Sequence, residues 1–259
     1  MQHRTLWAFA SALTLVAAVA CGGGGETDAP AGMPETAAPA AAPIDPASAG
    51  NVAGTIMLEG TPPAAETIRM NADPVCVTEA QDTETEYYVV GGSGGLGNVF
   101  VYVKEGLEGR TFPPASGTIR LEQDGCRYIP HVFGVRVGQT VEIVNSDPTL
   151  HNIHATPTAN DEFNTGQPIE GMVYERVFEN AEVMVPFKCD VHGWMNAYAG
   201  VVDHPFFGVT GDDGSFDLSG LPPGDYVVEA WHEMLGTQTQ NVTVGEGATA
   251  ELNFTFTVG

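Results

Sequence analysis

The chain is short of basic residues, of charge in general and of helical pattern. Nine Lys and Arg stand against 33 Asp and Glu, for a formal net charge of −24. Such a field repels phosphates and excludes a nucleic-acid or anionic-lipid binder; any attraction is toward basic protein partners or cations, screened by salt. An equally simple reading is that the acidity keeps an exported protein soluble. Charged residues make up only 16% of the chain, with 32 Gly and 18 Pro. That composition suits an all-β protein with many turns, and helical signals are nearly absent. No Cys-x-x-Cys occurs, which removes a dithiol redox motif and a c-type haem attachment. The Gly91–Gly97 cluster lacks the Gly-Lys-Ser/Thr ending of a phosphate loop and reads as a turn.

What is present begins with the N-terminus. Arg4 precedes an apolar run from Leu6 to Ala20 that is too short to span a bilayer, so residues 1–20 read as a secretory signal. Ala18-Val19-Ala20-Cys21 resembles a bacterial lipobox, with Ala18 where leucine is more usual. Cys21 would then carry lipid, and the protein would be periplasmic or at the cell surface, anchored to a membrane from outside the cytoplasm. The alternative is a plain signal peptide and soluble export. Residues 21–50, rich in Gly, Ala, Pro, Thr and acids, have no periodic apolar pattern and read as a disordered tether.

The most informative stretch is Val183–Tyr198. Cys189, His192 and Met195 follow a Cys-x2-His-x2-Met spacing on one short loop after an apolar, strand-like run, and Gly193 lets the backbone curl there. A thiolate, an imidazole and a thioether, completed by a second imidazole, make the His2Cys set with weak axial Met that copper uses for electron transfer. Zinc sites want Cys, His or carboxylate ligands, and Met195 suits them poorly. A Cys189–His192 nucleophile–base pair has no oxyanion or orienting group beside it, so the chain does not read as an enzyme. The second imidazole must come from elsewhere, and Asn145–His154 offers both His151 and His154. On extended backbone residues three apart face opposite sides, so one of them can reach the ion.

The Asn-Ser-Asp…His-Asn segment paired with Cys-x2-His-x2-Met resembles the cupredoxins, the blue copper proteins that include plastocyanin, and its short loop is most similar to that of amicyanin. The resemblance covers roughly Ser116 to Asp203. Val135–Asn145 resembles the family's Val-x-Val-Gly-x-Thr-Val-x-x-x-Asn strand pair. It implies a Greek-key β-sandwich over residues 113–203 and one type 1 copper held by His151, Cys189, His192 and Met195. Asn152 would tie the two ligand loops together, and His192 would be the ligand nearest solvent. The family often has a proline in this loop; here Gly193 follows His192. His131 reads as an exposed strand-end histidine, and Trp194 as either packing beneath the site or forming a docking surface.

With Cys21 and Cys189 so assigned, Cys76 and Cys126 remain as a disulfide pair in an oxidising compartment. Two free thiols, or a Cys126–Cys189 bridge that abolishes the metal site, are the competing arrangements. After Asp203 the pattern Thr-x-x-x-Gly-x-Phe-x-Leu, then Leu221-Pro-Pro-Gly-Asp-Tyr226, is similar to carboxypeptidase regulatory-like domains, small prealbumin-type sandwiches. Residues 204–259 are few for such a fold. Asn51–Lys104 resemble its missing opening half, so residues 51–112 would belong to the same sandwich and the copper domain would be an insertion; consecutive domains are the alternative. Trp231 reads as core of this second sandwich. Two functions follow: a membrane-tethered carrier of single electrons between redox partner proteins, or a copper-storage or partner-binding lipoprotein.

Overall fold

The computed structural model describes residues 44–259; the signal segment and most of the tether, with Cys21, lie outside the described residues. The described chain opens with β1 (Gly50–Glu59), α1 (Pro74–Glu79) and β2 (Phe100–Glu105). It continues through β3 (Ile119–Asp124), β4 (Arg127–Ile129), β5 (Val132–Arg136), β6 (Thr140–Asn145), β7 (His151–Ala155), β8 (Phe163–Gln167), β9 (Val173–Val177), β10 (Glu182–Lys188) and β11 (Asn196–Val202). It closes with β12 (Phe207–Val209), β13 (Ser215–Leu221), β14 (Gly224–His232), β15 (Gly236–Val244), β16 (Thr249–Glu251) and β17 (Phe254–Thr257).

These strands make two β-sandwiches, an inner one of β3 to β11 and an outer one built from the strands before and after it. The inner one faces the sheet β5-β11-β10-β7-β8 against β4-β3-β6-β9. The outer one combines β13-β1-β16, with β17 also on β1, and β12-β2-β14-β15. β1 and β2 therefore share sheets with strands more than a hundred residues later. β1 runs antiparallel to β13 and parallel to β16 and β17, while β2 runs antiparallel to β12 and β14.

Alternation along each strand fixes which face is buried. In β13, Phe216, Leu218 and Leu221 turn inward, and Ser215, Asp217 and Ser219 turn out. The two apolar cores are separate: Leu121, Ile143, Ile153 and Phe187 belong to the inner cluster, and Ile56, Val101, Val228 and Phe254 to the outer. A smaller cluster of Phe100, Tyr102, Val132 and Val202 joins the sandwiches. Trp231 packs on Tyr198 at this junction, ring centroids 5.0 Å apart, rather than in the outer core. The glycine cluster is a turn pressed on a hairpin. A Cβ at Gly95 would lie 2.2 Å from the Asp213 backbone, so only glycine fits.

Three local features interrupt the strand pattern. Glu86–Val90 is rich in strand-forming Tyr and Val, but only Val90 forms a bridge, an isolated one to Leu96, because the chain reverses at once through the glycines. Pro130, lacking an N–H, divides Cys126–Phe133 into β4 and β5. The third is α1, the one helix among the described residues. Asp73 caps it, its Oδ1 accepting from Val75 N–H at 2.8 Å, and Pro74 occupies the first turn, where its missing N–H costs nothing. α1 lies in the connection between β1 and β2, yet Met70 and Cys76 are buried in the core of the inner sandwich.

Candidate metal centre

Two loops at one end of the inner sandwich bring the site together. His151 begins β7, and Cys189, His192 and Met195 lie on the turn between β10 and β11. β10 pairs with both β11 and β7, Lys188 standing opposite His154 on one side and Asn196 on the other, so the ligand loop is held over the start of β7. The turn is closed by its own backbone: Cys189 N–H donates to the Met195 carbonyl at 3.1 Å, and Met195 N–H to the His192 carbonyl at 2.9 Å.

The Nδ1 atoms of His151 and His192 face each other at 2.9 Å, and a ring nitrogen of each lies within 4.8 Å of Cys189 Sγ. All four side chains are enclosed: His151 is 0% exposed, Met195 1%, Cys189 and His192 2%. Each imidazole is held through Nε2 by a carboxylate, His151 by Asp147 Oδ2 at 2.8 Å and His192 by Asp73 Oδ2 at 3.2 Å. An acceptor at Nε2 places the proton there and leaves Nδ1 as a lone pair. In neutral imidazoles two such lone pairs at 2.9 Å repel; a proton on His151 Nδ1, shared with His192 and Cys189, relieves this in the metal-free centre, and a metal cation between them would do so in the loaded one. The donor chemistry thus fits a thiophilic metal ion.

The electrostatics follow from this enclosure. Burial raises the Cys189 thiol, but hydrogen bonds from His151 and from the backbone of Asn152, His192 and Val191 outweigh it and bring it below its ordinary value. Burial lowers His151, yet Asp147 and Cys189 together leave it raised. For His192 burial, reinforced by the neighbouring His151, wins, and the imidazole is held neutral more readily than usual. Burial raises Asp147, but His151 and the N–H groups of Cys126 and Gly125, each donating at 2.8 Å, keep it ionised.

Asn152 joins the two loops. Its Oδ1 accepts from Asp190 N–H at 2.7 Å, Val191 N–H at 3.3 Å and the Cys189 thiol at 3.3 Å, while its carbonyl accepts the Tyr128 hydroxyl at 2.5 Å. His154 points away, between Asp190 and Glu162 at 2.8 and 2.9 Å. Cys76 and Cys126 form a disulfide, and Cys189 is the free cysteine among the described residues.

The structure adds to the sequence reading and in one place corrects it. His192 is, with Cys189, the most exposed of the four at 2%, yet α1 covers it: Cys76 Sγ is 3.7 Å from its Nε2. Trp194 closes another side, its ring centroid 5.0 Å from that of His192 and its Nε1–H donating to the Cys126 carbonyl at 3.0 Å. His131 is buried rather than exposed, bonded to Glu233 at 2.6 Å where the outer sandwich packs on it. Asp73 is the residue that sequence reasoning missed. Its signal was the Asp73-Pro74 pair, an N-cap followed by a first-turn proline.

Among solved structures, the chain is similar to a copper-containing nitrite reductase from Thermus scotoductus SA-01, at 22% identity and a TM-score of 0.31 over 35% of this chain and 25% of that one. It is also similar to a mutant of amicyanin in the Cu(I) form, at 23% identity and 0.30 over 34% of this chain and 85% of that one. A third is a purple cupredoxin from Nitrosopumilus maritimus, at 23% identity and 0.28 over 32% and 98%. The match to the reductase spans a quarter of that protein's length. No curated protein matches the chain. Residues 203–257, the C-terminal strands of the outer sandwich, match the Carboxypeptidase regulatory-like domain family.

Proposed function

We propose that the protein is a single-copper electron carrier whose ligands are His151, Cys189, His192 and Met195. The observation that carries this reading is the pair of convergent Nδ1 atoms beside Cys189, both turned by carboxylates at Nε2. Copper bound there would supply a one-electron couple between Cu(II) and Cu(I). The chain's own contribution is to hold both imidazoles in one tautomer, to stabilise the thiolate through the backbone N–H groups of Asn152, Val191 and His192, and to exclude water. A site fixed before the metal arrives needs little rearrangement when the charge changes. A carrier of this kind needs no catalytic residue, and we assign none.

The lipobox-like Ala18–Cys21 and the tether that follows support a carrier anchored outside the cytoplasm by lipid on Cys21, periplasmic or on the cell surface, whose reach depends on the tether. The net charge of −24 favours redox partners with basic surfaces. Voltammetry of the copper-loaded protein tests the function: a reversible one-electron couple with fast self-exchange is expected. Tight Cu(I) binding with no usable Cu(II) state would instead make the protein a copper store.

A further inference from the structure

The two imidazoles are oriented by carboxylates of different origin. Asp147 belongs to the same loop as His151, four residues before it. Asp73 lies 119 residues before His192, on the connection between β1 and β2 of the outer sandwich. Its two oxygens are used separately. Oδ1 caps α1 through Val75 N–H at 2.8 Å, while Oδ2 accepts from Thr149 Oγ1 at 2.7 Å and faces His192 Nε2 at 3.2 Å. Thr149 is itself fixed, its carbonyl accepting from Asn145 Nδ2 at 2.8 Å. The disulfide links the two supports: Cys76 lies on the first turn of α1, and Cys126 N–H donates to Asp147 Oδ2 at 2.8 Å, the same oxygen that holds His151.

We propose that Asp73 is a positioning residue for the metal centre. Delivered by the outer sandwich and stapled down through Cys76–Cys126, it holds Nε2–H of His192, fixes the tautomer whose Nδ1 faces the metal, and closes the centre to solvent. This rests on the copper reading above. A carboxylate on a ligand imidazole makes it more basic and stabilises the more positive oxidation state of the metal. The outer sandwich is then part of the metal site as well as a neighbouring domain. Capping α1 alone would need only Oδ1. An asparagine distinguishes the two roles, because its oxygen can keep the cap while its NH2 replaces the acceptor at His192 and meets Nε2–H donor to donor.

The test uses the full mature chain and compares wild type, Asp73→Asn and Thr149→Val. Thr149→Val keeps the shape and removes the bond that turns Oδ2. In copper-loaded protein, Asp73→Asn is expected to keep the thiolate absorption and the melting temperature, to release copper to a chelator ten- to a hundredfold faster, and to raise the reduction potential. Thr149→Val should move both quantities in the same direction by less. In metal-free protein the His192 Nε2–H proton resonance should be protected in wild type and lost in Asp73→Asn. Wild-type release rate and potential in Asp73→Asn would overturn the proposal. If wild type shows no thiolate absorption, the copper reading itself falls. The Nε2–H resonance then decides the role of Asp73 alone: its persistence in Asp73→Asn overturns the proposal, and its loss sustains it.

Discussion

The outer sandwich buries few polar groups, and those few pair locally: Glu229 takes the Tyr102 hydroxyl at 2.7 Å and Lys104 Nζ at 2.5 Å. The inner sandwich buries Asn145, Asp147, His151, Asn152, Gln167 and His192, almost all at one end. A buried polar group left unpaired costs about 1–3 kcal/mol, so such a cluster persists only if its members satisfy one another. Here they do, except at Oε1 of Gln123, the neighbour of Gln167, and where both Nδ1 atoms converge. The outer half spends its sequence on apolar alternation and the inner half concentrates its polar residues on one cavity. The outer half nevertheless supplies Asp73, Met70 and Cys76, which the inner half lacks for closure.

The largest expected effect lies at the centre of the inner half. Cys189→Ser should abolish the thiolate-to-Cu(II) absorption completely, because a hard hydroxyl replaces the soft, covalent donor. Its circular dichroism should remain that of the folded wild type. A surviving band would place the thiolate elsewhere.

Separating the two halves should have the next largest effect. The disulfide closes a loop with a sequence separation of 50, and Cys76→Ser with Cys126→Ser should lower the unfolding free energy by about 2–4 kcal/mol in denaturant titration. A fragment of residues 113–204 carries all four proposed ligands. Without Met70, Cys76 and Asp73, the structure predicts that it melts lower and loses copper faster than the whole chain. Equal behaviour of fragment and whole chain would show that the outer half contributes nothing to the centre.

Acid should separate the halves in another way. Burial pushes His232 of the outer half down to about 4, opposed by Glu233 and slightly reinforced by His131. Its folded value thus lies below its unfolded value near 6.5. The stability it contributes is present in full above that value and is lost as pH falls toward 4, up to about 3 kcal/mol for one such group. His232→Leu should flatten the stability profile between pH 6.5 and 4 relative to wild type. An unchanged slope would remove His232 as the cause.

The smallest effect belongs to His154, which is similar in sequence context to His151 but lies outside the centre. Its ion pairs with Asp190 and Glu162 are partly exposed, so His154→Ala should cost less than about 1 kcal/mol. It should leave the visible spectrum unchanged, whereas His151→Ala should change or erase it.

What could be read from the sequence was local. The Cys189, His192 and Met195 spacing lies within one turn, Asn152 follows its ligand directly, and the strands of the outer sandwich announce themselves by alternation. The burial of His192 could not be read, because the groups that cover it, Asp73 and Cys76, come from a distant six-residue helix with little pattern of its own. His131 was misplaced for the same reason. Its neighbours in sequence say nothing of Glu233, which reaches it across the junction of the two sandwiches.

The most direct test of the central claim is the visible absorption spectrum of the mature protein loaded with one equivalent of Cu(II). With Cys189 bound as a thiolate beside His151 and His192, an intense sulfur-to-copper charge-transfer band is expected, lost on reduction to Cu(I) and restored on reoxidation. A colourless Cu(II) complex would contradict the account.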